Sequence, residues 1–260
     1  MPIEHSLTAT LQQAMDRIGD GAERHGGERH IEFAIWNTKS FQNWYDSQTN
    51  AGNKLISAKM FWVYRPSHKS PIFMWIIKPE VYVASLDKTI KNELVISRTD
   101  ISTVMMWRKR LPLETSEVVL IREFRVSGNT EDTHIRELPS GSSPSDQEPP
   151  KETAAKEVFE ETGAFIDHDR LKERGARQLA GTFSAHRSHF YSVELNEEEL
   201  DWFKSQKDVV HGNEEQGERT MIEVYTVRDL LNKNVEIDWS TMGQILYVYY
   251  KAFNDPTTFV

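Results

Sequence analysis

Apolar residues recur at three- to four-residue spacing in 7–18, where Leu7, Leu11, Ala14, Met15 and Ile18 share one side of a predicted helix that Ser6 can cap. Gly19, Gly21, Gly26 and Gly27 end it. Its polar face is not basic, so this helix is expected to pack on its own domain and not on a membrane surface. Residues 37–47 repeat the helical pattern, with Phe41, Trp44 and Tyr45 on one side. The period then changes. Segments 60–64, 71–77 and 81–86 are rich in aromatic and β-branched side chains and predict strands. Lys and Arg do not interleave with these aromatics, so a buried core is a better reading of them than a base-stacking platform. Residues 1–98 therefore predict a small α+β region that carries no identifiable chemistry.

Beyond it, 101–107 and 117–124 predict two strands separated by Pro112, and the run Val118, Val119, Leu120, Ile121 is apolar enough for a buried one. Arg122 and Arg125 stand at its far end. A loop at 127–133 and a short strand at 135–138 lead into Pro139, Ser140 and Gly141. The polar, proline-rich stretch 142–150 feeds a helix over 151–162, with Gly163 as its C-terminal cap. A strand at 220–227 and a helix opening at 238–242 complete the outline. The predicted organisation is an α+β region over 1–98 followed by an α/β domain over 99–260, with no internal repeat.

Composition narrows the chemistry. The 260 residues are 38% hydrophobic and 10% aromatic, which suits a folded chain and not a disordered one. The longest apolar run, around Ile72 and Ile77, falls far below the roughly 20 residues that span a bilayer. Glu4 and His5 stand where a secretory leader would be basic and then apolar, so a cytoplasmic address is expected. The absence of cysteine excludes disulfides, thiolate–zinc sites, iron–sulfur clusters and thiol catalysis. A zinc site built on His186 and His189 is also poorly supported. A net charge of −9 argues against a general grip on nucleic acid, and it means that any phosphate chemistry here would need metal ions to bridge like charges.

The stretch 151–164, KETAAKEVFEETGA, carries that possibility. At about 100° per residue, Glu157, Glu160 and Glu161 share one arc of the helix, with Ala154, Ala155, Val158, Phe159 and Thr162 assigned to the other side. Like charges so placed repel unless something positive sits between them, and hard divalent cations are the natural partner of carboxylate oxygens. The turn Glu137-Leu138-Pro139-Ser140-Gly141, the loop residue Glu148 and the run KEVFEETG together resemble the signature of the Nudix hydrolases: a Gly, a Glu, then Arg-Glu-apolar-x-Glu-Glu-x-Gly. Lys156 replaces the family arginine, and the Gly141 to Glu148 loop is one residue longer than usual. A Lys156–Glu148 pair would keep the charge matching but not a bidentate fork. The order of EVVLIREFR, Gly181-Thr182-Phe183, the 220–227 strand, Arg228-Asp229-Leu230-Leu231 and the last helix is similar to that of the ADP-ribose and nucleoside-diphosphate-sugar pyrophosphatases of that superfamily.

The resemblance implies a mixed sheet between helices, Mg²⁺ or Mn²⁺ held by Glu157, Glu160 and Glu161, and hydrolysis of the pyrophosphate in a nucleoside diphosphate linked to another group. ADP-ribose, giving AMP and ribose 5-phosphate, is the first substrate implied; NADH, other nucleotide sugars, dinucleotide polyphosphates and capped RNA are alternatives. It places Gly141 and Arg125, or else Arg122, against the diphosphate, and a general base at Glu218, or else Glu215, in the polar loop HGNEEQGE. A homodimer is also implied. The second class of reading is a Nudix module that binds or senses a nucleotide sugar without cleaving it, and the third is an interaction protein that works through the aromatic-rich first hundred residues.

Overall fold

The computed structural model describes residues 24–142, 148–213, 217–232 and 235–254. The helix predicted over 7–18 lies outside the described residues. The chain divides into two compact units. Among the described residues the first comprises 24–100 and 178–187, and the second comprises the rest.

The first unit opens with helices α1 (Phe33–Trp36) and α2 (Lys39–Asn50). Thr38 caps α2 by accepting from the Phe41 amide at 3.2 Å, satisfying one of the donors that a helix start leaves unpaired. Four antiparallel strands follow: β1 (Lys54–Tyr64), β2 (Met74–Val83), β3 (Lys88–Ile90) and β4 (Val95–Arg98). The two strands expected at 71–77 and 81–86 are a single strand, β2, which runs through Pro79. Proline is tolerated there because β4 pairs with β2 only up to Ile77 and β3 only from Val81, leaving the residues between them unpaired on that side. Trp75, Phe41, Ile35 and Ile77 are fully buried, and the Trp75 indole Nε1 donates to Ser40 Oγ at 3.0 Å. Residues 180–185 join this unit: the Ile96 amide donates to the Phe183 carbonyl at 2.7 Å, and the Ala185 amide to the Ile96 carbonyl at 2.8 Å.

The second unit is α/β. It contains strands β5 (Ile101–Arg108), β6 (Glu117–Phe124), β7 (His134–Glu137), β8 (Ser140–Gly141), β9 (Lys172–Gln178), β10 (Arg187–Glu194), β11 (Val210–His211) and β12 (Thr220–Thr226). The sheet runs β11-β12-β6-β5-β10-β9, with β7 on β6 and β8 on β5. It is mixed, because β10 is parallel to β5 whereas β6 is antiparallel to both of its neighbours, β5 and β12. Strand alternation feeds two cores. Val119 joins the core under helices α3 (Pro150–Thr162) and α4 (Glu197–Ser205); Val118 and Leu120 join the one under α5 (Val227–Asn232) and α6 (Trp239–Phe253). Among the described residues no helix is long and apolar enough to cross a membrane.

The buried face of α3 differs from the predicted one. Ala154, Val158, Glu161 and Thr162 are buried, while Phe159 is 55% exposed. Ala154 lies beside Glu161 on the helical wheel, so the side that packs on the sheet takes Glu161 in with it.

Candidate active site

Both ends of α3 are specified locally, and its C-terminal end is tied to the rest of the sheet. Pro150 starts the helix at a position where a missing N–H costs nothing, and Gly163 ends it at φ +74°, a left-handed conformation that favours glycine. The α3 carbonyls left over at that end are then satisfied from the β11–β12 region: the Gly212 amide donates to the Glu160 carbonyl at 3.0 Å, and the Thr220 hydroxyl to the Glu161 carbonyl at 2.6 Å.

The sheet-facing end of the helix presents carboxylates to β8. Glu161, 6% exposed, accepts from the Ser140 amide at 2.9 Å. Glu157 lies against Gly141 so closely that a Cβ on residue 141 would fall 2.2 Å from Glu157 Cδ and 2.3 Å from both of its oxygens. The carboxylate therefore occupies the space where a side chain at 141 would have to be. Two further acids complete the group. Glu123 is the inward-facing residue near the end of β6, and Glu137 ends β7. Arg125 joins them, its Nη2 2.6 Å from Glu137 Oε1 and 2.9 Å from Glu123 Oε2.

Negative charge outweighs positive in this group, and the proton affinities record it. Burial, then Glu160, Glu218 and Glu148, push Glu157 up to about 7, with Lys156 opposing. Burial raises Glu161 well above the carboxylate range; Glu157, Glu137 and Glu123 add to the rise and the Ser140 amide offsets part of it. Glu123 is raised by burial, by Glu137 and by Glu218, against Arg125. A carboxyl whose folded pKa exceeds its unfolded one contributes stability that is complete below about 4.5 and is lost as pH rises through about 7. The metal-free Glu157→Gln variant is accordingly expected to melt above the parent by a margin that widens from about pH 5 to about pH 8, and a constant margin would contradict that assignment.

The residues singled out in the sequence are thus partly assembled. Glu157, Glu161, Gly141 and Arg125 converge, and Glu218 acts electrostatically on both Glu157 and Glu123. Glu160 is drawn aside by Lys156, whose Nζ lies 3.6 Å from its Oε1. The Lys156–Glu148 pair is not formed, because Glu160, one helical turn on, is the nearer partner. Arg122 is on the opposite face of β6, beside Glu223 at 3.6 Å and Asp132 at 4.0 Å. Glu215 lies outside the described residues. His186 belongs to the first unit, where its Nδ1 is 2.8 Å from Ser184 Oγ. Glu123 and Glu137 were not anticipated as site residues, although an acid at an inward position of an otherwise apolar strand was a usable signal for the first.

Among the described residues, Asp167, His168 and Asp169 are the trio whose ligand atoms all lie within 4.8 Å of one another, and all three are exposed. The oxygens of Glu157, Glu160 and Glu161 are spread more widely: Glu160 pairs with Lys156, and Glu161 accepts from the Ser140 amide. No protein-family model matches the chain, and no curated protein compared with it matches its sequence.

Proposed function

We propose that this chain is a divalent-metal-dependent pyrophosphohydrolase of the Nudix kind, cleaving a nucleoside diphosphate linked to another group, with ADP-ribose as the first candidate. The observation that carries the reading is the pairing of Gly141 with Glu157 beside buried Glu161: carboxylates concentrated next to a missing side chain, with raised proton affinities that a cation would relieve. The donor set suits Mg²⁺ or Mn²⁺, since it offers only hard oxygens. Glu157, Glu160 and Glu161 would hold the ion, which when bound supplies charge neutralisation at the phosphates and acidifies a water.

The remaining roles belong to the chain. The Ser140 amide orients Glu161. Arg125 spends its fork on Glu123 and Glu137, so it fixes the spacing of the acids and supplies positive charge beside the substrate. Glu218, on the segment tied to α3 through Gly212 and Thr220, is the proposed proton acceptor. The resemblance also implies a homodimer, for which Phe61, Trp62 and Tyr64, exposed on edge strand β1, offer an apolar surface.

Turnover of ADP-ribose, NADH, nucleotide sugars and dinucleotide polyphosphates with Mg²⁺ or Mn²⁺ tests the proposal. Cleavage of at least one compound, abolished by a chelator, is the expected result. Saturable nucleotide binding without cleavage would shift the reading to a sensing module, which the Lys156–Glu160 pair favours because it engages a carboxylate the metal needs.

A further inference from the structure

The second unit holds a concave cationic surface on the α6 face of its sheet, opposite α3. Edge strand β9 lacks the apolar alternation of its neighbours, and its i, i+2 pair Lys172 and Arg174 points to one side. These two line a cavity of about 520 Å³ together with Lys109 after β5, Arg170 before β9, and Lys251 near the end of α6. Trp107 and Val248 contribute apolar lining, and among the described residues the one acidic lining residue is Glu194, which lies 3.9 Å from Arg108. Five cations around one concavity repel one another, and in a chain of net charge −9 such a concentration is not a by-product of overall composition.

Arg174 separates this surface from the ion-paired faces elsewhere in the unit. Arg110 is matched by Glu117 and Glu197, Arg136 by Glu223, and Arg170 itself by Glu199. Arg174 is half-buried, yet its hydrogen bond runs from Nε to a neutral hydroxyl, Ser192 Oγ, at 2.8 Å; among the described residues no carboxylate pairs with it. Burial also lowers its proton affinity. Among the described residues no acceptor bonds its two Nη groups, which form a planar donor fork, a shape matched to phosphate oxygens. Lys172 likewise has no ion-pair partner among the described residues, while Lys251 lies 5.7 Å over the Tyr247 ring.

We infer that this pocket binds a small anion carrying two or more phosphate groups, with Arg174 as the central fork and Lys172 and Lys251 as flanking charges. Several dispersed cations call for more than one phosphate. The concave shape, in a chain that is acidic as a whole, favours a small molecule over a nucleic acid or a lipid surface. The site is separate from the carboxylate group across the sheet and does not depend on the hydrolase reading.

The test is calorimetric titration of the full chain with sodium tripolyphosphate, and with orthophosphate in parallel, in chelator so that the carboxylates offer no metal bridge. Saturable binding of tripolyphosphate, much tighter than of orthophosphate, is expected, with affinity falling at least about tenfold in Arg174→Gln and in Lys172→Gln. Arg228→Gln, which removes a positive charge paired with Glu114 elsewhere on the unit, should leave it unchanged. Lys172 is exposed, so its variant is informative even if Arg174→Gln fails to fold. Equal weakening by Arg228→Gln, affinity unaltered in Lys172→Gln, equal binding of orthophosphate, or no binding of tripolyphosphate while RNA or phosphoinositide vesicles bind would each overturn the inference.

Discussion

Glu161→Gln is expected to abolish hydrolysis while making the metal-free protein more stable. Glutamine keeps the shape of the side chain and an oxygen to accept from the Ser140 amide, so the contact between α3 and β8 persists. What disappears is an acid that burial, Glu157, Glu137 and Glu123 all disfavour in its charged form. The melting temperature without metal should therefore rise by a few degrees at neutral pH. Turnover should fall by about a thousandfold, because a carboxylate that fixes a catalytic ion contributes several kcal/mol to the transition state. Mn²⁺ affinity, measured by titration calorimetry, should fall with it. The opposed signs matter, since a residue serving only the fold would lose stability and activity together. If turnover and Mn²⁺ affinity both stay within about tenfold of the parent, the assignment of Glu161 to a metal fails.

Gly141→Ala should weaken Mn²⁺ binding and turnover by about 10–100-fold with little change in folding stability. The added methyl would sit 2.2–2.3 Å from the Glu157 carboxyl atoms, so the carboxylate must leave its place. The obstructing group is the far end of a flexible side chain, so relief is inexpensive for the fold and costly only for the site. Equilibrium urea unfolding should place the variant within about 1 kcal/mol of the parent. Undiminished Mn²⁺ affinity would show that the position of Glu157 against Gly141 has no bearing on metal binding, and a large loss of stability would show that Gly141 serves the backbone instead.

The legible parts of this protein are those with a local cause. A 3.6-residue period, a proline at the start and a glycine at the end specify α3, and an apolar run between polar boundaries specifies β6 at Glu117–Phe124. Helical spacing alone places the carboxylates of α3 on one arc, whereas Gly141 of β8 is singled out only through the resemblance of its turn and the helix to the Nudix signature. Strand β9, by contrast, reads KERGARQ and has no apolar alternation to betray it; as an edge strand it is held by a neighbour and not by a buried face.

Which charges meet is a different kind of question. Period-2 alternation separates Arg122 from Glu123 and Arg125, but that Glu123, Glu137, Glu157 and Glu161 share one desolvated region follows from β6, β7 and α3 packing together across dozens of residues. The same holds for the cations of the further pocket, drawn from β9, α6 and the segments just after β5 and just before β9, and for residues 180–185, two of whose backbone hydrogen bonds go to Ile96. Sequence establishes the elements and the inventory of charges, because dihedral preference and periodicity act within a few residues. Burial, pairing and proton affinity depend on distances between segments remote in the chain, and those distances exist only once the sheet has closed over its helices.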